Sequence, residues 1–128
     1  MIQGIGIDII ELARIEKAIR NRGLRFLARV FTPREVARCQ SRKEKYQYFG
    51  SHFAAKEAVM KALGTGRKKG VRWVDIEVVY NQDGKPDVKL YDRAEEVAKS
   101  LGIADIHVSI SHIKEYAIAQ AVAIKEQA

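Results

Sequence analysis

Residues 106–124 read IHVSISHIKEYAIAQAVAI. Apolar residues recur at every second position through most of it. The spacing predicts two strands, 106–111 and 116–124, turning through Ile113 and Lys114 as an antiparallel hairpin. Ala117, Ala119, Ala121 and Ala123 fall on one face of the second strand, with Tyr116, Ile118, Val122 and Ile124 on the other. A strand apolar on both faces needs cover on both sides, and a subunit interface would supply one of them.

Upstream, 75–80 reads as a strand, NQDGKP at 81–86 as a turn and 87–90 as the returning strand. A helix over 93–101 separates this hairpin from the last. The first half is mostly helical. The longest helix is expected over 46–63, with Gly64 as its stop and Gly50 obscuring its start. Thr32, Pro33 and Glu35 make a helix start: a hydroxyl cap, proline at the first position, glutamate three residues after the cap. A short helix over 24–31 carries Arg25 and Arg29. Another, over 10–22, has Leu12, Ile15 and Ile19 as its stripe and Gly23 as its cap. At the start, 2–9 alternates as a strand with Ile5, Ile7 and Ile9 on one face. Gly4, Gly6 and Asp8 share the other, where glycine lets a second backbone come close. Helices early and antiparallel strands late give an α+β chain, helices packed on an antiparallel sheet.

The 128 residues fit one domain, 1–128, with 47% hydrophobic and 30% charged residues. Disordered and collagen-like chains are thereby excluded. The single cysteine, Cys39, excludes an internal disulfide and a cysteine-based zinc cage. No uncharged stretch is long enough to span a bilayer, and the first ten residues lack a basic signal-peptide start, so a cytoplasmic, membrane-free protein is expected. Lysine and arginine outnumber aspartate and glutamate 23 to 16, a net +7. That surplus attracts anionic partners without choosing among nucleic acid, anionic lipid, a phosphorylated cofactor and an acidic protein. A nucleic-acid-binding module is one candidate, but aromatics are only 8% and no recognition motif is present.

No P-loop, HExxH, GxSxG or EF-hand sequence occurs, and His107 and His112 fall on opposite faces of their strand. Glu57 and Lys61 stand one turn apart on the long helix, which by spacing alone is a surface pair worth about 0.3–0.5 kcal/mol. Asp8 and Glu11 fit a capping box, with Asp8 as cap. The other possibility is that Asp8 and Glu57 are hard ligands for Mg2+, which favours one or two carboxylates plus phosphate oxygens and water. The run from Gly64 to Gly70 is either an ordinary helix cap or a phosphate-holding loop of bare N–H groups and cations. Arg14, Lys17, Arg20, Arg22, Arg25 and Arg29 form either a solvated face or a docking surface for an acidic helix.

GIGIDIIELARIEKAI, FTPREV, HFAAKEAVMKALGTG, WVDIEV, NQDGKP and HVSISHIKEYAIAQAV, in this order, resemble segments of holo-acyl-carrier-protein synthases, the short single-domain 4′-phosphopantetheinyl transferases. The likeness covers nearly the whole chain. It implies Mg2+-dependent transfer of the 4′-phosphopantetheine arm of coenzyme A to a serine of apo-acyl carrier protein. Adenosine 3′,5′-bisphosphate leaves, and the product serves fatty acid biosynthesis. The resemblance assigns Asp8 and Glu57 to the metal and Lys61 to the transferred phosphate. It gives Gly64, Thr65, Gly66 and His112 to coenzyme A, and Arg14 to the carrier protein. The serine's base would be Glu57 or water on the metal. A homotrimer with active sites between subunits is also implied. His52 stands where the family usually has arginine or lysine, and Ile113 where it often has threonine, both expected near the coenzyme A phosphates. A non-catalytic trimeric domain of the same fold is the rival that loss of Asp8 or Glu57 would favour, and both are present.

Overall fold

A computed structural model describes residues 1–65 and 69–127. The close approach that the glycines allow fixes the centre of the molecule. Strand β1 (Ile2–Glu11) is crossed by helix α4 (Lys45–Leu63), which also packs on the last strand, β5 (Tyr116–Lys125). A Cβ on Gly4 would collide with the carbonyl oxygen of Ala62. One on Gly6 would collide with that of Ala58 and stand 2.7 Å from the Ala62 amide nitrogen. The alanine face of β5 continues this shallow floor, with Ala117, Ala119, Ala121 and Ala123 all buried. Ala54, Ala55, Ala58 and Ala62 meet it from α4, so helix and sheet touch almost backbone to backbone.

The sheet has the order β1-β5-β4, all antiparallel, with β4 spanning Ile103–His112. A separate hairpin pairs β2 (Ile76–Tyr80) with β3 (Pro86–Leu90). Its turn is closed by Asn81, whose side-chain oxygen accepts from the amides of Asp83 and Lys85, both at 2.9 Å. Helices α1 (Leu12–Arg22), α2 (Leu24–Val30) and α3 (Pro33–Gln40) cover the other flank of α4. They enclose a second cluster of Ile15, Leu27, Val30, Phe31, Cys39 and Phe49. Helix α5 (Asp92–Ser100) joins the hairpin to β4. The α+β expectation holds, with two antiparallel sheets rather than one. Among the described residues no helix is long and apolar enough to cross a membrane.

The Thr32 capping box forms as read: the Glu35 amide donates to Thr32 Oγ1 at 3.3 Å and the Thr32 amide to Glu35 Oε1 at 3.0 Å. Gly64 ends α4 in the left-handed region at φ 72°. The Asp8–Glu11 box does not form. Pairing with β5 carries β1 on through Ile10↔Ala117 and Glu11↔Tyr116, and the Leu12 amide then donates to the Glu115 carbonyl at 2.9 Å. That ladder satisfies the backbone groups a cap would have served, so α1 starts at Leu12 rather than at residue 10.

The outer face of the sheet is open. Ile5, Ile7, Ile9, Tyr116 and Ile118 lie on it, each between 38% and 62% exposed.

Candidate active site

Asp8 shares the face of β1 that carries Gly4 and Gly6, so its carboxylate stands beside α4. The close helix–strand contact brings Lys61 within reach. Lys61 Nζ donates to the Ile7 carbonyl at 2.9 Å and to Asp8 Oδ1 at 3.2 Å. One turn earlier, Glu57 Oε1 accepts from the Trp73 indole N–H at 3.1 Å. Phe53, a further turn back, lies against the Trp73 ring with centroids 5.8 Å apart. Asp8, Glu11, Arg14, Phe53, Glu57 and Tyr116 line one cleft of about 420 Å³. Arg14 is at its rim, largely exposed and 3.5 Å from Glu11.

The surface-pair reading of Glu57 and Lys61 is therefore displaced. Among the described residues no ion pair joins them, because β1 offers Lys61 a carbonyl and a carboxylate at once. Asp8 and Glu57 each keep a second oxygen without a hydrogen bond among the described residues. No cluster of three or more His, Cys, Asp or Glu capable of holding a metal occurs among those residues. Two carboxylates opening onto a cleft suit a small hard cation that completes its shell with water and phosphate oxygens, which is the habit of Mg2+.

The remaining sequence-predicted residues lie elsewhere on the chain. Gly64 and Thr65 follow the end of α4, and Gly66 falls outside the described residues. Thr65 is buried, and its hydroxyl has no partner among the described residues. His112 ends β4, opposite Ala117, with β5 between it and β1. None of these three described residues lines the Asp8–Glu57 cleft.

His52 corrects an expectation. It is fully buried, with Nδ1 3.0 Å from Glu35 Oε2 and Nε2 2.9 Å from the Tyr80 hydroxyl, so it turns no atom toward a ligand. It belongs to a closed polar cluster that the sequence did not reveal. Lys56, also fully buried, donates to Glu35 Oε1 at 2.5 Å, to the Ile76 carbonyl at 2.5 Å and to the Trp73 carbonyl at 3.1 Å. The Val78 amide donates to Glu35 Oε2 at 3.1 Å. Burial pushes the Glu35 carboxyl upward, but the His52 hydrogen bond and the Lys56 charge outweigh it and hold the group below the ordinary carboxylate range. Ile113, by contrast, is well exposed. Apart from its cap partner Thr32, the partners of Glu35 lie 17 to 43 residues away in sequence, beyond any local motif. The one available signal was an unpaired charge, Lys56, at an inward position of the long helix.

Residues 4–121 match the profile of the 4′-phosphopantetheinyl transferase superfamily. A holo-acyl-carrier-protein synthase of Koribacter versatilis is 45% identical over 122 residues, covering 95% of this chain and 98% of that one. The crystal structure of the Neisseria meningitidis holo-acyl-carrier-protein synthase superposes with a TM-score of 0.90 at 33% identity, over 98% of this chain and all (100%) of that one. The Helicobacter pylori holo-acyl-carrier-protein synthase, solved in complex with coenzyme A, gives 0.83 at 34% identity, over 94% and 99%.

Proposed function

The chain belongs to the 4′-phosphopantetheinyl transferase superfamily, among its holo-acyl-carrier-protein synthases, and from that premise we propose how its own residues carry the transfer. The substrates are coenzyme A and an apo-acyl carrier protein, and the service is to fatty acid biosynthesis in the cytoplasm. Residues 1–128 act as one transferase domain. The observation that carries the proposal is that Asp8 on β1 and Glu57 on α4, far apart in sequence, line one cleft.

A carrier serine oxygen forms the new bond to phosphorus, the bond to the bridging pyrophosphate oxygen breaks, and adenosine 3′,5′-bisphosphate leaves with the electron pair. Such chemistry asks for neutralised charge and an aligned nucleophile more than for covalent help. Asp8 and Glu57 would hold Mg2+. Bound there, the ion would polarise the phosphorus and offset charge on the leaving group. Lys61 adds a flexible cation beside Asp8, able to swing onto a phosphate. Either Glu57 or water held at the cation would receive the serine proton. Arg14, on the rim of the same cleft, meets the acidic carrier where its serine must enter.

The assembly is a homotrimer. Support comes from the open apolar sheet face of Ile5, Ile7, Ile9, Tyr116 and Ile118, a patch that a second copy would cover. It also comes from the separation of His112, Gly64 and Thr65 from the cleft. Sites shared between copies would reunite such residues across an interface. Light scattering should give three times the chain mass, and a monomer at micromolar concentration would count against the trimer.

The decisive experiment is mass spectrometry of an apo carrier protein incubated with this chain, coenzyme A and Mg2+. The carrier should gain the mass of one phosphopantetheine arm. A carrier of unchanged mass overturns the proposal.

A further inference from the structure

The protein's only tryptophan touches the carboxylate assigned to the cation. The 3₁₀ turn Trp73–Asp75 that bears it is pinned from two directions. Beneath, buried Lys56 donates to the Trp73 and Ile76 carbonyls. At its start, the Arg72 amide and guanidinium bind buried Asp75, at 3.1 Å to Oδ2 and 3.0 Å to Oδ1. Phe53 packs on the indole ring and the Arg29 guanidinium lies 5.9 Å from its centroid. The indole N–H is thus a donor held at a fixed place, and it is spent on one oxygen of Glu57.

We propose that Trp73 is a positioning residue that makes Glu57 a one-oxygen ligand and so biases the site toward Mg2+ over Ca2+. The inference rests on Asp8 and Glu57 being the metal pair. A free carboxylate can turn to present one oxygen or both. Mg2+ takes short single contacts in an octahedron, whereas Ca2+ readily takes both oxygens of one carboxylate in a larger, looser shell. Engaging Oε1 with a rigid donor fixes the carboxylate's rotation, leaves Oε2 for the ion, and makes a two-oxygen grip cost the indole hydrogen bond. Removing such an orienting partner commonly lowers metal affinity about 10- to 100-fold.

The same contact supplies the readout. With coenzyme A present and no carrier protein, Mg2+ should change Trp73 fluorescence saturably, and Glu57→Ala should abolish the change. Trp73→Phe keeps an aromatic ring against Phe53 but removes the donor. In transfer assays it should raise the Mg2+ concentration for half-maximal rate about tenfold. It should also make Ca2+ a stronger competitor and leave the KM for the carrier protein unchanged. A merely structural role would lower stability while leaving the Mg2+-to-Ca2+ preference alone, and that result overturns the proposal. Wild-type emission that ignores Mg2+ at concentrations saturating transfer overturns it as well, and decides the matter even if Trp73→Phe fails to fold. Failure of the transfer function would show separately, as a carrier of unchanged mass beside an emission that still titrates with Mg2+.

Discussion

Lys56 and Glu57 are consecutive, yet helix α4 sends them to opposite worlds. Lys56 points into protein, fully buried, with Glu35, two backbone carbonyls and the neighbouring His52–Tyr80 pair closing the space. Glu57 points into an open cleft, with one oxygen tied to Trp73 and Asp8 across the way. Both regions pair charges from α4 with charges from distant elements. The difference is closure. A charge cluster whose bonds are all made inside the protein serves the fold, and one that leaves oxygens open onto a cleft is available for chemistry. A residue's charge does not separate the two cases and its helix position only hints at it, whereas its inventory of partners does.

The comparison breaks most visibly on the closed side. Lys56→Ala leaves Glu35 buried with one cationic partner gone, and the loss should be about 3–5 kcal/mol of unfolding free energy in urea titrations. Glu57→Gln should do the reverse. Transfer should fall about a hundredfold or more while the urea midpoint stays in place. A Glu57→Gln protein with ordinary turnover would remove the two-carboxylate account. Between the two regions, Gly6→Ala forces β1 away from the Ala58 carbonyl. It should cost about 1–3 kcal/mol and slow transfer as well, because Asp8 rides on the displaced strand. Acid should separate the regions again. A carboxyl held below its ordinary range adds stability above that range and surrenders it as pH falls through the lowered value. Glu35 should therefore help fix the onset of acid unfolding. Substituting both Glu35 and Lys56 with apolar residues should flatten that limb of the curve followed by circular dichroism. The smallest effect belongs to the rim. Arg14→Glu should raise the KM for carrier protein and leave that for coenzyme A nearly unchanged, with the wild-type KM climbing as salt is added.

Local chemistry was legible in the sequence. The hydroxyl, proline and glutamate of the Thr32 cap, the glycine face of β1 that admits a second backbone, and the alternation in β5 each act through near neighbours or through a fixed period, and each appears as read; that the second backbone is α4 came only from the fold. Asp8 as a helix cap failed because an antiparallel ladder, formed with residues more than a hundred positions away, outbid a local hydrogen bond. The Trp73–Glu57 contact and the Glu35–Lys56–His52 cluster escaped for the same reason, since only the folded chain makes those residues neighbours. The resemblance gave His112, Gly64 and Thr65 to coenzyme A, and the fold of the single chain leaves all three outside the cleft of Asp8 and Glu57.

The missing side chains at Gly4 and Gly6 have a manufacturing consequence. The gap between strand and helix is a contact of peptide atoms, so it works like a gauge block with no adjustable screw. Core residues away from this joint can change size without retuning the spacing of the acid on the strand from the acid on the helix, whereas the alanines of α4 and β5 that line the joint cannot. The same rigidity leaves no cheap repair once a methyl group is wedged into the joint.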